Sequence, residues 1–200
     1  MNLAFLASHG GSNMQAIIDA IKNGTLNATP VVVISNNSES TACQRAQKEG
    51  IPFYHISHTT HPDDRQHDQA ILKVLQQYKT DLVVLAGYMK KIGQQTLAAY
   101  QGRILNIHPA LLPKFGGKGM YGKKVHEAVL AAGESESGVT IHVIDEHYDH
   151  GPILAQRRVP VFPDDTPDRL ADRVLKMEHQ LYADTIGRII AGEIVLPTGR

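Results

Sequence analysis

NLAFLASHGGSNMQAIIDAIKNG, residues 2–24, is the stretch on which the fold turns. It opens with a short, nearly continuous apolar run, Asn2 to Ala7. Such a run suits a strand covered on both faces, as in a parallel sheet, better than a strand with one wet face. It ends in a helical pattern: Met14, Ile17, Ile18 and Ile21 fall at i, i+3, i+4 and i+7, and Gly24 follows as a C-terminal cap. Between them lies SHGGSN, residues 8–13. Gly10 and Gly11 permit a tight turn with close backbone approach, and Ser12 or Asn13 stands where it can cap the helix. The first N–H groups of that helix then face the crevice beyond the strand's carboxyl end, which makes a place for a phosphate. The spacing is not GxGxxG and no acidic ribose ligand follows the second strand, which argues against a nicotinamide dinucleotide.

The same alternation continues outward. Residues 30–35 (PVVVIS) and 81–86 (DLVVLA) repeat the apolar run. STACQRAQKEG, closing on Gly50, and HPDDRQHDQAILKVLQQY, entered through Pro62 and acidic residues, read as helices between them. Strand, helix, strand, helix implies right-handed crossovers and a doubly wound sheet. In the second half RILNIH, residues 103–108, is another strand and a short helix is expected around 122–132. GVTIHVID and PILAQRRVPV follow as two strands joined by a tight link at about 147–152, placed to pair antiparallel. A long amphipathic helix closes the chain, with Thr166 as its cap and Pro167 in its first turn. The expected class is α/β: a three-layer, open, mostly parallel sheet with helices on both faces and an antiparallel edge in the C-terminal half.

Composition narrows the function. A length of 200 residues suits one domain or two small intimate ones, and 42% apolar residues suffice for a core. Zero formal net charge gives no basic surface for coating nucleic acid. One cysteine, Cys43, excludes an intramolecular disulfide and suits a reducing compartment. No stretch approaches the roughly 20 apolar residues of a membrane span, and the first residues lack a signal-peptide pattern. A soluble cytoplasmic protein is expected. The eleven histidines form neither HExxH nor any paired Cys/His spacing, so no metal site is expected.

NIHPALLPKFGGKGMYGKK, residues 106–124, carries two competing patterns. Gly117 to Lys123 satisfies GxxxxGK, but Lys124 stands where a P-loop needs Ser or Thr, and LLPKFG separates the motif from any strand. A surface loop or an active-site flap fits better. NIHP is the more informative half. On a strand, Asn106 and His108 share a face with Ile107 opposite, at a carboxyl end where sites form in open sheets. An amide there can donate to a developing oxyanion and an imidazole can relay a proton. A carboxylate beside the imidazole would favour its charged form; DEHYDHG, residues 145–151, offers Asp145, Glu146 and Asp149 without distinguishing them. Neither a GxSxG elbow nor a base near Cys43 supports covalent catalysis.

Taken together, GGSN at 10–13, LAGYM at 85–89, NIHPALLPKFGG at 106–117 and DHGPI at 149–153 resemble the folate-dependent formyltransferases over nearly the whole chain. GSN after the first strand points to the branch that acts on glycinamide ribonucleotide in purine synthesis. The resemblance implies one formyltransferase domain over 1–200, with a phosphate-binding Rossmann-like half (1–100) and a folate-binding, catalytic half (101–200). It implies 10-formyltetrahydrofolate as cosubstrate, a metal-free reaction, and a monomer or homodimer. A hydrolase of the same folate, or a transferase to another acceptor, is the alternative within the family.

The resemblance also implies roles. Asn106 would bond the formyl oxygen and the oxyanion, His108 would be the general acid toward the folate nitrogen, and Asp149 would raise the imidazole pKa and relay protons. Gly11, Ser12 and Asn13 would hold the substrate phosphate, and Glu178 would contact the ribose. Arg65, Met89, Lys90, Lys91, Ile92, Asn106 and Asp145 would serve the folate. Three positions depart from the family pattern. His9 replaces a usual glycine, the loop after Pro113 is longer than in many members, and Leu175 stands where some members carry Lys or Gln, with Lys176 beside it.

Overall fold

The computed structural model describes residues 1–147 and 149–197. Seven strands form one sheet in the order β3-β2-β1-β4-β5-β6-β7. The chain divides into two compact units, one of Met1–Leu105 with the described residues from Val195, the other of Asn106–Ile194.

In the first unit the order of elements is β1 (Asn2–Leu6), α1 (Ser12–Lys22), β2 (Thr29–Ser35), α2 (Thr41–Lys48), β3 (Phe53–His55), α3 (Asp64–Gln77), β4 (Leu82–Leu85) and α4 (Gln94–Ala99), and β5 (Ile104–His108) begins here. β1 pairs in parallel with β2 and β4, and β2 with β3. As a central strand with both sheet faces covered, β1 keeps Leu3 to Leu6 fully buried and does not alternate. Two elements were not separable in the sequence. β3 has three residues, all half-buried, and α4 has six with only Thr96 buried, so neither carries a usable periodicity.

Helix entries differ in detail from the expected ones. α1 begins at Ser12, and its cap is Gly11 in the left-handed region (φ 65°) with no side-chain cap bond. Neither Ser12 nor Asn13 caps, because the positive φ at Gly11 has already turned the chain and both residues lie inside the helix. A Cβ on Gly11 would sit 2.8 Å from Ala42 Cβ, so the turn needs glycine for space as well as for conformation. α3 is capped by Asp63, whose carboxylate accepts from Gln66 N at 2.9 Å; Pro62 lies before the cap.

In the second unit β5 ends and is followed by α5 (Lys123–Ala131), β6 (Glu136–Val143), β7 (Ile153–Pro160) and α6 (Pro167–Ile190). β6 and β7 pair antiparallel. The link between them runs from 144 to 152, longer than a tight turn, and Tyr148 lies outside the described residues. α6 packs on β6, β7 and α5 through buried Leu170, Val174, Leu181, Tyr182, Ile186 and Ile189. Thr166 caps it as expected, accepting from Arg169 N. No described helix is long and apolar enough to cross a membrane.

Candidate active site

The side chains of Asn106, His108 and Asp149 come together within the second unit. Alternation along β5 puts Asn106 and His108 on one side, where Asn106 reaches His142 of β6 and His108 reaches Asp149 in the 144–152 link. His108 is 3% exposed. Its Nδ1 stands 3.6 Å from Asp149 Oδ2, an electrostatic contact longer than a hydrogen bond. Its Nε2 is 2.8 Å from the Phe115 carbonyl, to which it donates. Both ring nitrogens therefore face acceptors, an arrangement that is complete only when the ring carries two protons.

Electrostatics oppose and support that charge at once. Burial pushes the His108 imidazole below its ordinary value, and the pull of Asp149 and the Phe115 carbonyl recovers only part of the shift. Asp149 therefore pulls the imidazole upward without making the net direction upward. For Asp149 itself, burial favours the neutral acid, but His142, the Gly117 N–H at 2.8 Å and His108 outweigh it and hold the carboxyl below its usual range.

Among the three carboxylates of DEHYDHG, geometry selects Asp149. Asp145 turns outward and accepts from His147 N at 2.7 Å, and Glu146 is exposed. Asp149 adopts φ 59°, which aims its carboxylate back between two imidazoles.

The second of these, His142 on β6, was missed by sequence reasoning. It is 1% exposed, its Nε2 lies 3.1 Å from Asn106 Nδ2 and 3.5 Å from Asp149 Oδ1, and its Nδ1 is 3.2 Å from the Val143 carbonyl. In the tautomer with Nδ1–H donating to that carbonyl, Nε2 accepts from Asn106 and orients its amide; with the proton on Nε2, the ring donates towards Asp149 instead. The available signal was a histidine inside the apolar strand pattern GVTIHVID, a position more often filled by a packing residue. Burial, and then the nearby His108, also hold His126 on α5 below the ordinary imidazole value.

The apparent P-loop has a different part. Gly117, its first glycine, donates its N–H to Asp149, and the Phe115 carbonyl accepts from His108 Nε2, so the start of the loop straps the His–Asp pair. Lys123, the motif lysine, pairs with Asp168 at 2.8 Å on the surface. The path into this strap is set by buried Thr140, which donates to the Ala110 carbonyl at 2.6 Å and accepts from Leu112 N and Gln156 Nε2.

The other expected residues are placed as follows. In the first unit Gly11 is buried, Ser12 half-buried and Asn13 buried, all at the start of α1. Arg65 is exposed on α3; Met89, Lys90 and Lys91 are exposed after β4, and Ile92 is buried. In the second unit Glu178, half-buried, lies on α6 with Leu175 one turn before it. Among the described residues no group of three or more His, Cys, Asp or Glu could hold a metal ion.

A sheet that changes from parallel to antiparallel, with an Asn–His–Asp cluster at the end of β5, defines a class that comparison makes specific. The formyl transferase family model matches residues 1–186, and the chain belongs to that family. Among its relatives, the chloroplastic phosphoribosylglycinamide formyltransferase of Vigna unguiculata is 45% identical over 96% of this chain and 62% of its own length. The phosphoribosylglycinamide formyltransferase of Escherichia coli K12 is 34% identical over 97% of this chain and 89% of its own. The crystal structure of glycinamide ribonucleotide transformylase 1 from Symbiobacterium toebii superposes with a TM-score of 0.92 at 35% identity, covering 98% of this chain and 91% of that one. This chain spans less than two thirds of the length of its chloroplastic plant relatives, 62% to 64%.

Proposed function

We propose that this protein transfers the formyl group of 10-formyltetrahydrofolate to the amine of glycinamide ribonucleotide, releasing N-formylglycinamide ribonucleotide and tetrahydrofolate, in purine biosynthesis. The observation that carries the reading is the convergence of Asn106, His108 and Asp149 in a chain of the formyl transferase family. The substrate amine attacks the formyl carbon, and the carbonyl electron pair moves onto oxygen. One N–H of Asn106, its amide held by His142, stabilises that oxyanion, an effect worth roughly 10²–10³ in rate. As the carbon–nitrogen bond to the folate breaks, its electron pair goes to the folate nitrogen, which takes a proton from His108. Positioned acid catalysis adds roughly 10²–10⁴. Asp149 favours the charged imidazole and passes the amine proton to water.

In this reading Gly11, Ser12 and Asn13 hold the acceptor phosphate and Glu178 contacts its ribose. Arg65, Met89 to Ile92, Asn106 and Asp145 serve the folate. The pteridine needs apolar cover and the glutamate end needs cations, which suits buried Ile92 on the one hand and exposed Lys90, Lys91 and Arg65 on the other. A single buried cysteine, Cys43, suits work in the cytoplasm.

Formyl transfer by the purified protein, followed spectroscopically through the folate product, tests the proposal. No transfer to glycinamide ribonucleotide would refute it. Formate release without an acceptor would mark a hydrolase instead.

A further inference from the structure

We infer that Arg45 on α2 is a positioning residue for the acceptor's phosphate, acting through the β1–α1 loop; the inference rests on the proposed role of Gly11, Ser12 and Asn13. Two successive carbonyls of that loop are tied back to α2. The His9 carbonyl accepts from Ala42 N at 3.0 Å, and the Gly10 carbonyl accepts from Arg45 Nε at 3.0 Å. A trans peptide is planar, so its N–H points away from its C=O. Tying down the His9 and Gly10 carbonyls therefore turns the N–H groups of Gly10 and Gly11 to the side away from α2. That side is where an anion meets successive backbone donors at the start of α1.

Arg45 is itself held. Its second donor, NH1, stands 3.4 Å from Gln15 Oε1, and the Gln15 amide nitrogen donates to Asp19 at 2.9 Å and to Glu49 at 3.0 Å. Two carboxylates thus fix the Gln15 amide so that its oxygen faces the guanidinium. Ala42 completes the template, since its Cβ admits only glycine at position 11. The Arg45 contact thus holds the direction in which the Gly10–Gly11 peptide faces.

The test compares wild type with Arg45→Gln and Arg45→Lys, using glycinamide ribonucleotide and its riboside, which lacks the phosphate. Losing a charge-assisted bond that orients a donor is expected to raise the KM for the ribonucleotide roughly tenfold in Arg45→Gln. The expected kcat and the KM for the folate stay within about twofold of wild type. Arg45→Lys, which keeps a cationic donor, recovers most of the loss, and kcat/KM for the riboside does not change in either variant. An unchanged ribonucleotide KM, or an equal loss on both acceptors, overturns the inference. If wild type transfers no formyl group, the proposed function fails separately. The inference is then still read by titrating inorganic phosphate and following the backbone amide shifts of Gly11 and Ser12. Binding weaker by roughly tenfold in Arg45→Gln supports it, and equal binding overturns it.

Discussion

Asp149 Oδ2 lies 3.6 Å from His108 Nδ1, and burial of the imidazole opposes the charge that this pairing favours. In the proposed reaction that balance lets the proton leave. A fully stabilised imidazolium would be a poor acid, and an unpaired buried imidazole would seldom be charged.

Asp149→Asn removes the carboxylate that raises the imidazole, so the His108 pKa falls further. Activity that needs the protonated ring declines as pH rises through that pKa, so the alkaline limb of the kcat profile moves to lower pH. A drop in kcat of roughly 10²–10³ is expected, and pH–rate profiles of the two proteins check it. A limb that stays in place separates Asp149 from His108 ionisation.

His142→Ala leaves the Asn106 amide without its 3.1 Å partner. The amide proposed as oxyanion donor is then present but unoriented, and kcat is expected to fall about 10–100-fold, short of the full loss of a donor. KM for both substrates should change little. Steady-state kinetics decide it, and a loss confined to KM contradicts the assignment.

Three buried histidines make the fold acid-sensitive. His67, His108 and His126 are all held below their ordinary value of 6.5, chiefly by burial. The unfolded chain takes up these protons at higher pH than the folded one. Their contribution to stability is therefore fully present above 6.5 and is lost as pH falls through the lower folded values. Urea midpoints are expected to drop between pH 8 and pH 5.5 (roughly the span around an ordinary histidine), and His67→Gln should flatten that slope.

Thr140→Val removes a buried hydroxyl that serves Ala110, Leu112 and Gln156 together. The shape is kept, but the Leu112 N–H and the Ala110 carbonyl lose their partner. A cost of about 2–4 kcal/mol is expected in chemical denaturation. Because these bonds set the path from Pro109 to the strap at Phe115–Gly117, kcat should fall as well.

Gly11→Ala places a methyl against Ala42 Cβ at 2.8 Å and forces alanine to φ 65°. Overlap and backbone strain together are expected to cost about 1–3 kcal/mol, visible as a lower melting temperature. The ribonucleotide KM should rise in the folded fraction.

Much of this could be read along the chain. Leu3 to Leu6 are buried on both faces and say so by not alternating; Met14, Ile17 and Ile18 mark the inner face of α1 by their spacing; Thr166 and Pro167 announce α6. Asn106 and His108 were already on one face, because a strand of period two leaves no other choice. These are local properties, carried by neighbours within a turn or two of the chain.

What lay outside that reach depends on where distant segments return. DEHYDHG offers three similar carboxylates, and Asp149 is singled out by a left-handed backbone step, the Gly117 amide and two imidazoles from different strands. His142 looks like any residue of an apolar strand until β6 is placed with its Nε2 against Asn106. GKGMYGKK spells a phosphate loop in one dimension, yet its first glycine serves a carboxylate and its lysine an aspartate on α6. Periodicity encodes which face a residue presents, because that is set by the backbone geometry of its own element. Which groups meet across that face is set by the packing of segments thirty or forty residues apart, and no local pattern holds that information.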